Sequence, residues 1–230
     1  MVHLLFYAAT LVAADQGVSQ EGVRVEAWAG HQVLRGKRKV PIYGDQDTHT
    51  ENFLIAEIHQ SQGRIDVKQK LCRSDVKPVK GVSAGMRTET VLRLPKARAS
   101  FTVAANGSLT GPPWSTGWEA EDIDGDGFPG ATVHIAGKCD GQVYVSNQST
   151  TTLVSGRATE DGMSGNISVL VKQKVLGASG FCLKLVAGDS DEKQTGTFAF
   201  RRIPIGSNCR NLAGKPWPVQ APPVAVPKGK

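Results

Sequence analysis

The sequence has little of what most helical proteins and metalloenzymes are built from. Aromatic residues make up 6% of its 230 positions. The five histidines, at 3, 31, 49, 59 and 134, contain no i, i+4 pair, which excludes the zinc arrangement that sets two imidazoles on one helix face. Four cysteines, Cys72, Cys139, Cys182 and Cys209, are widely spaced with no Cys-x-x-Cys pair. That spacing argues against structural zinc and thioredoxin-like redox chemistry, and for disulfides in an oxidising compartment. Of the three possible connectivities, Cys72 with Cys209 and Cys139 with Cys182 is favoured, because the first would tie the chain end to the core. Apolar residues seldom recur at helical spacing for more than two turns, and a strand-helix-strand rhythm is missing.

What is present is a long series of short alternating runs. Residues 23–29 set Val23, Val25 and Ala27 against Arg24 and Glu26, the period of a half-buried strand. Residues 53–58 and 64–72, divided by Gln60-Ser61-Gln62-Gly63, have the shape of a hairpin. Residues 89–94 and 99–105 follow as strands divided by Pro95, with Asn106-Gly107 as a tight turn. The runs 131–136, 141–147, 151–158, 166–175, 181–186 and 195–203 complete the pattern, and Lys138-Cys139-Asp140-Gly141 marks the clearest hairpin. About ten to twelve short strands predict an all-β fold, an antiparallel up-and-down barrel that hides its own edges, with a β-sandwich as the alternative. Residues 111–121 read as an irregular insertion whose Trp114 and Trp118 either cap a barrel mouth or pack onto the wall.

The predicted organisation is a signal peptide over residues 1–14, one barrel domain over 15–213, and a tail over 214–230. Leu4 to Ala14 is a short apolar run ending in small residues, as a secretory signal does, although its start lacks a Lys or Arg. At about eleven residues it is too short to span a bilayer. Pro216, Pro218, Pro222, Pro223 and Pro227 predict an extended, disordered tail. The net charge of +6 and pI near 9.2 favour anionic partners weakly. Much of the excess sits in Arg35, Lys37, Arg38 and Lys39, read as a solvated loop or as a docking point for an anionic envelope surface. Nothing points to nucleic acid.

One stretch carries clear chemistry. In Asp122-Ile123-Asp124-Gly125-Asp126-Gly127-Phe128-Pro129-Gly130, alternate carboxylates on a tight loop point oxygens inward, and Gly127 lets the backbone close around a hard cation. Laid on the calcium loop of the EF-hand type, Asp122, Asp124 and Asp126 take positions one, three and five, and the Phe128 carbonyl position seven. Position twelve is Val133, which has no carboxylate, so Glu119, Glu121, Asp161 or water must complete the site. Calcium is then the expected cofactor, held at roughly 10⁻⁴ to 10⁻³ M.

Val40-Pro41, Cys72 after a strand pair, Leu94-Pro95, the Asp122–Gly130 loop running into Ala131-Thr132-Val133, and Gly141-Gln142-Val143-Tyr144-Val145 together resemble a group of secreted bacterial lipocalin-like β-barrel proteins of uncharacterised function. The resemblance covers roughly residues 22–212. It implies a lipocalin-like barrel and brings no catalytic residue or ligand. Gly81-Val82-Ser83-Ala84-Gly85 spells the nucleophile elbow of serine hydrolases, but neither a buried parallel strand upstream nor a βαβ frame supports it. Three Asn-x-Ser sequons, at Asn106, Asn147 and Asn166, read as turn residues. The sequence therefore predicts a non-enzymatic secreted or periplasmic barrel with a calcium loop, either filled by side chains or holding a small apolar ligand. The rival readings are an envelope interaction protein and, least favoured, a hydrolase using Ser83.

Overall fold

A computed structural model describes residues 24–40 and 44–224; the expected signal segment and the last residues of the tail lie outside the described residues. The chain forms β1 (Arg24–Val40), β2 (Gly44–Ser61), β3 (Arg64–Val76), β4 (Ser83–Gly85), α1 (Thr88–Arg93), β5 (Ala97–Val103), β6 (Leu109–Thr110), β7 (Trp114–Trp118), β8 (Ala131–Ala136), β9 (Gly141–Thr159), β10 (Gly162–Ala178), α2 (Phe181–Val186), β11 (Ser190–Ile203) and α3 (Cys209–Leu212). All described strands join one antiparallel sheet in the order β4-β8-β9-β10-β11-β1-β2-β3-β5-β6, with β7 also paired to β9. The sheet curls like a barrel until its far end meets β9. There Ser108 bridges Arg157, the Ala158 amide donates to the Gly107 carbonyl at 2.8 Å, and Phe101 meets Trp114 edge to face.

Period-two alternation explains the curl. Leu54, Ala56 and Ile58 of β2, Ile65 and Val67 of β3, and Trp28 and Leu34 of β1 point inward into one apolar cluster with Phe198 and Phe200. That cluster fills the interior, leaving a cavity of about 10 Å³ beside Met163 and Phe198, hardly room for one water. A carboxylate is buried with it. Burial alone would raise the Glu26 pKa, but hydrogen bonds from Trp28 and Arg202 hold it below its ordinary value. A second cluster gathers Val143, Val145 and Leu183 where α2 packs on the sheet. The two disulfides join Cys72 to Cys209 and Cys139 to Cys182, the pairing favoured for tying the chain end to the core. Among the described residues no helix is long and apolar enough to cross a membrane.

Several local expectations are corrected. Residues 89–94 and 181–186 lie in α1 and α2, not in strands. Thr90 and Val91 of α1 bury one side of a short turn, with Glu89 and Arg93 at the ends that suit the helix dipole. The insertion 111–121 contains strand β7, and the runs 141–147 and 151–158 fuse into one long β9. Arg35, Lys37, Arg38 and Lys39 belong to β1 rather than to a loop, with Asp47 opposite Lys37. A polar strand forms here because β2 continues the backbone ladder through these residues, β11 adds a second ladder as far as Gly36, and Asp47 faces Lys37 across the β1–β2 pair.

The tail is corrected most. Its described part, residues 214–224, is laid against the outer face of β1, β2 and β11. The Trp217 indole donates to the Gly30 carbonyl at 2.9 Å, Thr197 donates to the Pro222 carbonyl, and the Trp217 ring meets Phe53 edge to face. The Ala221 amide donates to His31 Nδ1 at 2.9 Å, so this ring nitrogen must be unprotonated. His31 is 2% exposed and stacks on Phe53. Burial pushes its pKa below the ordinary 6.5; Glu51, 3.5 Å from Nε2, and Asp75 act against that shift, and Arg73 adds to it. The contact is therefore complete above 6.5 and weakens as pH falls through the lowered value of the folded state. The protection factor of the Ala221 amide, taken against its pH-dependent intrinsic exchange rate, is expected to fall as pH drops through the lowered His31 value. In His31→Gln that fall should vanish.

Candidate metal centre

β7 and β8 lie end to end along one edge of β9. Trp114 to Trp118 pairs with Thr151 to Asn147, and Ala131 to Ile135 continues the same ladder against Val145 to Gly141. The acidic loop, residues 119–130, is thus an excursion from what would otherwise be a single edge strand. Its feet face Asn147 and Val145, about 7 Å apart along an extended chain. The Gly130 amide closes the base by donating to the Ala120 and Glu121 carbonyls at 3.1 and 3.2 Å, and the Ile123 amide donates back to Gly130 at 3.0 Å. Gly130 has φ +73°, and a Cβ there would come within 2.2 Å of the Val145 carbonyl oxygen, so only glycine fits. Beside it the Trp118 indole donates to the same Val145 carbonyl at 2.8 Å.

Inside the loop, Asp122 organises the backbone. Its Oδ1 accepts from the Gly125 and Asp126 amides at 2.6 and 3.2 Å, and its Oδ2 from Gly127 at 2.9 Å. The amide of Gly127 first, with those of Gly125 and Asp126, holds the Asp122 carboxyl below its usual pKa. Asp126 accepts from the Phe128 amide at 3.0 Å and from the Thr132 hydroxyl at 2.6 Å. Asp124 reaches farther. Its Oδ2 accepts from the Thr132 amide at 3.0 Å and from the Thr90 hydroxyl of α1 at 2.9 Å.

The three carboxylates offer one oxygen each, all within 4.8 Å of one another. Like charges so close repel, and the loop's amides act against that cost at Asp122. Asp124 Oδ1 is buried and accepts no hydrogen bond. A buried, unpartnered anionic oxygen beside two further carboxylates fits a bound cation, which would satisfy it and cancel the repulsion. The cluster can hold a metal ion, with Asp122, Asp124 and Asp126 as its protein carboxylates.

The other carboxylates predicted as ligands fall elsewhere. Phe128 sits at the rim, its ring stacked on Tyr144 with centroids 4.3 Å apart. Glu119 and Glu121 are exposed and outside the cluster. Asp161 is excluded, because it lies beyond the far end of β9, 3.7 Å from Arg202. Val133 lies in β8 and packs in the second apolar cluster. Thr90 and Thr132 were not singled out from the sequence: Thr132 lies past the Asp repeat, and Thr90 comes from a helix read there as a strand. Ser83 is on edge strand β4, where its hydroxyl faces the Ala136 carbonyl at 3.5 Å. Among the described residues no histidine hydrogen-bonds to it. His134 pairs in register with Gly85 and Gln142.

No known protein-family model and no curated protein matches the sequence. Thr132 is 2% exposed, so Thr132→Val, which keeps the shape and deletes the hydroxyl bond to Asp126, should destabilise the metal-free protein by about 1 kcal/mol. Urea unfolding in the presence of a chelator measures this.

Proposed function

We propose that the protein is a non-enzymatic, extracytoplasmic β-barrel scaffold whose seam is locked by calcium. Two disulfides favour an oxidising environment, which outside the cytoplasm is also calcium-rich. The observation that carries the reading is Asp124. One of its oxygens ties α1 to the start of β8, and the other is left without a partner inside the carboxylate cluster. Calcium takes six to eight oxygens in flexible geometry, and a loop offering Asp122, Asp124, Asp126 and the Phe128 carbonyl, with water filling the remainder, suits it better than magnesium, which demands a tight octahedron. The lipocalin-like resemblance belongs to this same proposal.

An interior apolar ligand is not part of it. A pocket for an organic ligand commonly measures roughly 300–1,000 Å³, against the 10 Å³ left between the core side chains. Nor is docking through the basic stretch of β1 favoured. Arg38 is engaged by Gln173 at 3.0 Å and by Glu192 at 3.6 Å, and Asp47 lies opposite Lys37.

Saturating calcium is expected to raise the melting temperature by roughly 5 °C or more, magnesium by less, and Asp124→Ala to abolish the rise. Differential scanning calorimetry of the chelated and calcium-loaded protein makes the measurement. An unchanged melting temperature would overturn the proposal, as would a rise that survives Asp124→Ala.

A further inference from the structure

A groove of about 670 Å³ lies on the outside of the barrel, away from the packed interior. Its floor is the outer face of β2 and β3, where Lys68 and Lys70 stand on the same side of one strand. One wall is α1 and the turn after it, carrying Arg93 and Lys96; the other is the start of α3, carrying Arg210. Both walls are fixed. Cys209 is bonded to Cys72 of β3, and α1 is held through Thr90 and buried Val91. Five cations line the groove against two carboxylates, Glu57 and Glu89, an excess of 5 − 2 = 3. Glu57 is already engaged, 2.7 Å from His59 and opposite Lys68 in the β2–β3 register. Among the described residues none of the five cations has a carboxylate within 4.0 Å. The basic stretch of β1 differs on this point, since its Arg38 is paired with Glu192.

Cations gathered in a concave site in excess of its carboxylates raise the local potential for an anion. They are spread over a floor and two walls rather than converging on one point, so the complementary ligand carries several separated negative groups. Between them lie Ile55 and Leu92, an apolar patch that suits the CH face of a sugar ring better than a bare inorganic anion. We propose that this groove binds an acidic oligosaccharide, its carboxylate or sulfate groups meeting Lys70, Arg93, Lys96 and Arg210 and a ring face resting on Ile55 and Leu92. None of the three clustered carboxylates lines the groove, although Arg93 also lies against Gly125 of their loop; Lys70 and Arg210 carry the proposal whether or not calcium binds there.

Titration calorimetry of the full chain, in calcium-containing buffer, with a short polygalacturonate oligomer and a sulfated glycosaminoglycan fragment tests it. At least one should bind, and more weakly as salt rises, while an uncharged oligosaccharide of equal length should not bind. Lys70→Gln combined with Arg210→Gln should weaken binding by about tenfold or more, and Arg35→Gln combined with Lys37→Gln should leave it unchanged. Both pairs are at the surface, and matching melting curves with intact disulfides establish that each variant is folded. Equal binding of the uncharged sugar, loss through the Arg35 and Lys37 pair alone, or binding only to phosphatidylglycerol vesicles would overturn the proposal. So would indifference of binding to the groove substitutions.

Discussion

The continuity of one ladder along β9 governs this structure. β9 pairs with β10 on one side; on the other it is completed in turn by β8, by β7 and by the bridge from Ser108 to Arg157. A sheet edge made of separate pieces is exposed wherever the pieces part. The parting between β7 and β8 is where three aspartates leave the sheet, and Asp124 returns to the backbone at Thr132, at the start of β8. Gly130, Thr132 and Trp118 hold the loop's base against Val145 and the start of β8, so the acidic loop is joined to the sheet at the point where its edge is weakest.

The same loop links elements distant in sequence. Thr90 of α1 donates to Asp124, and a Cβ on Gly125 would come within 2.4 Å of the Arg93 guanidinium. Since α1 leads directly into β5, near the opposite end of the strand order, the loop fastens one end of the curled sheet to the other. The Cys72–Cys209 bridge acts separately, fastening the chain's end to the outside of β3, while residues 214–224 cover His31 and Phe53. The C-terminal segment therefore forms an outer layer, whereas α2 packs farther along the face that Val175 shares with Val169 and Val171 of the core.

Polar groups in this molecule are placed by partners rather than by simple exposure. Glu26 is buried yet stays ionised because Trp28 and Arg202 donate to it. His31 lies on the outer face of β1 and would be wet without the C-terminal segment; covered, it accepts a backbone amide. The cations of the outer groove have no such partners, which separates them from Arg38 on β1.

Alternation in β2, β3, β8 and β11 was legible in the sequence, because a strand with one buried face must repeat every two residues. The carboxylates at 122, 124 and 126 were legible too, since a loop that grips a cation needs closely spaced oxygens and a glycine to turn. The cysteine spacing allowed three pairings, and the structure decided which one forms. Residues 89–94 and 181–186 were misread as strands because six residues are too few to separate the helical period from the strand period; burial against neighbours decided them. The tail was misread because proline content reports the absence of regular structure, not the absence of contacts. By itself the sequence determined an all-β chain with an acidic loop, as both are properties of neighbouring residues. Only the tertiary structure decided that β7 and β8 share one edge, that Thr90 and Thr132 close the carboxylate cluster, and that Lys70 and Arg210 face one groove, because each depends on residues far apart in the chain being brought together by the closing of the sheet.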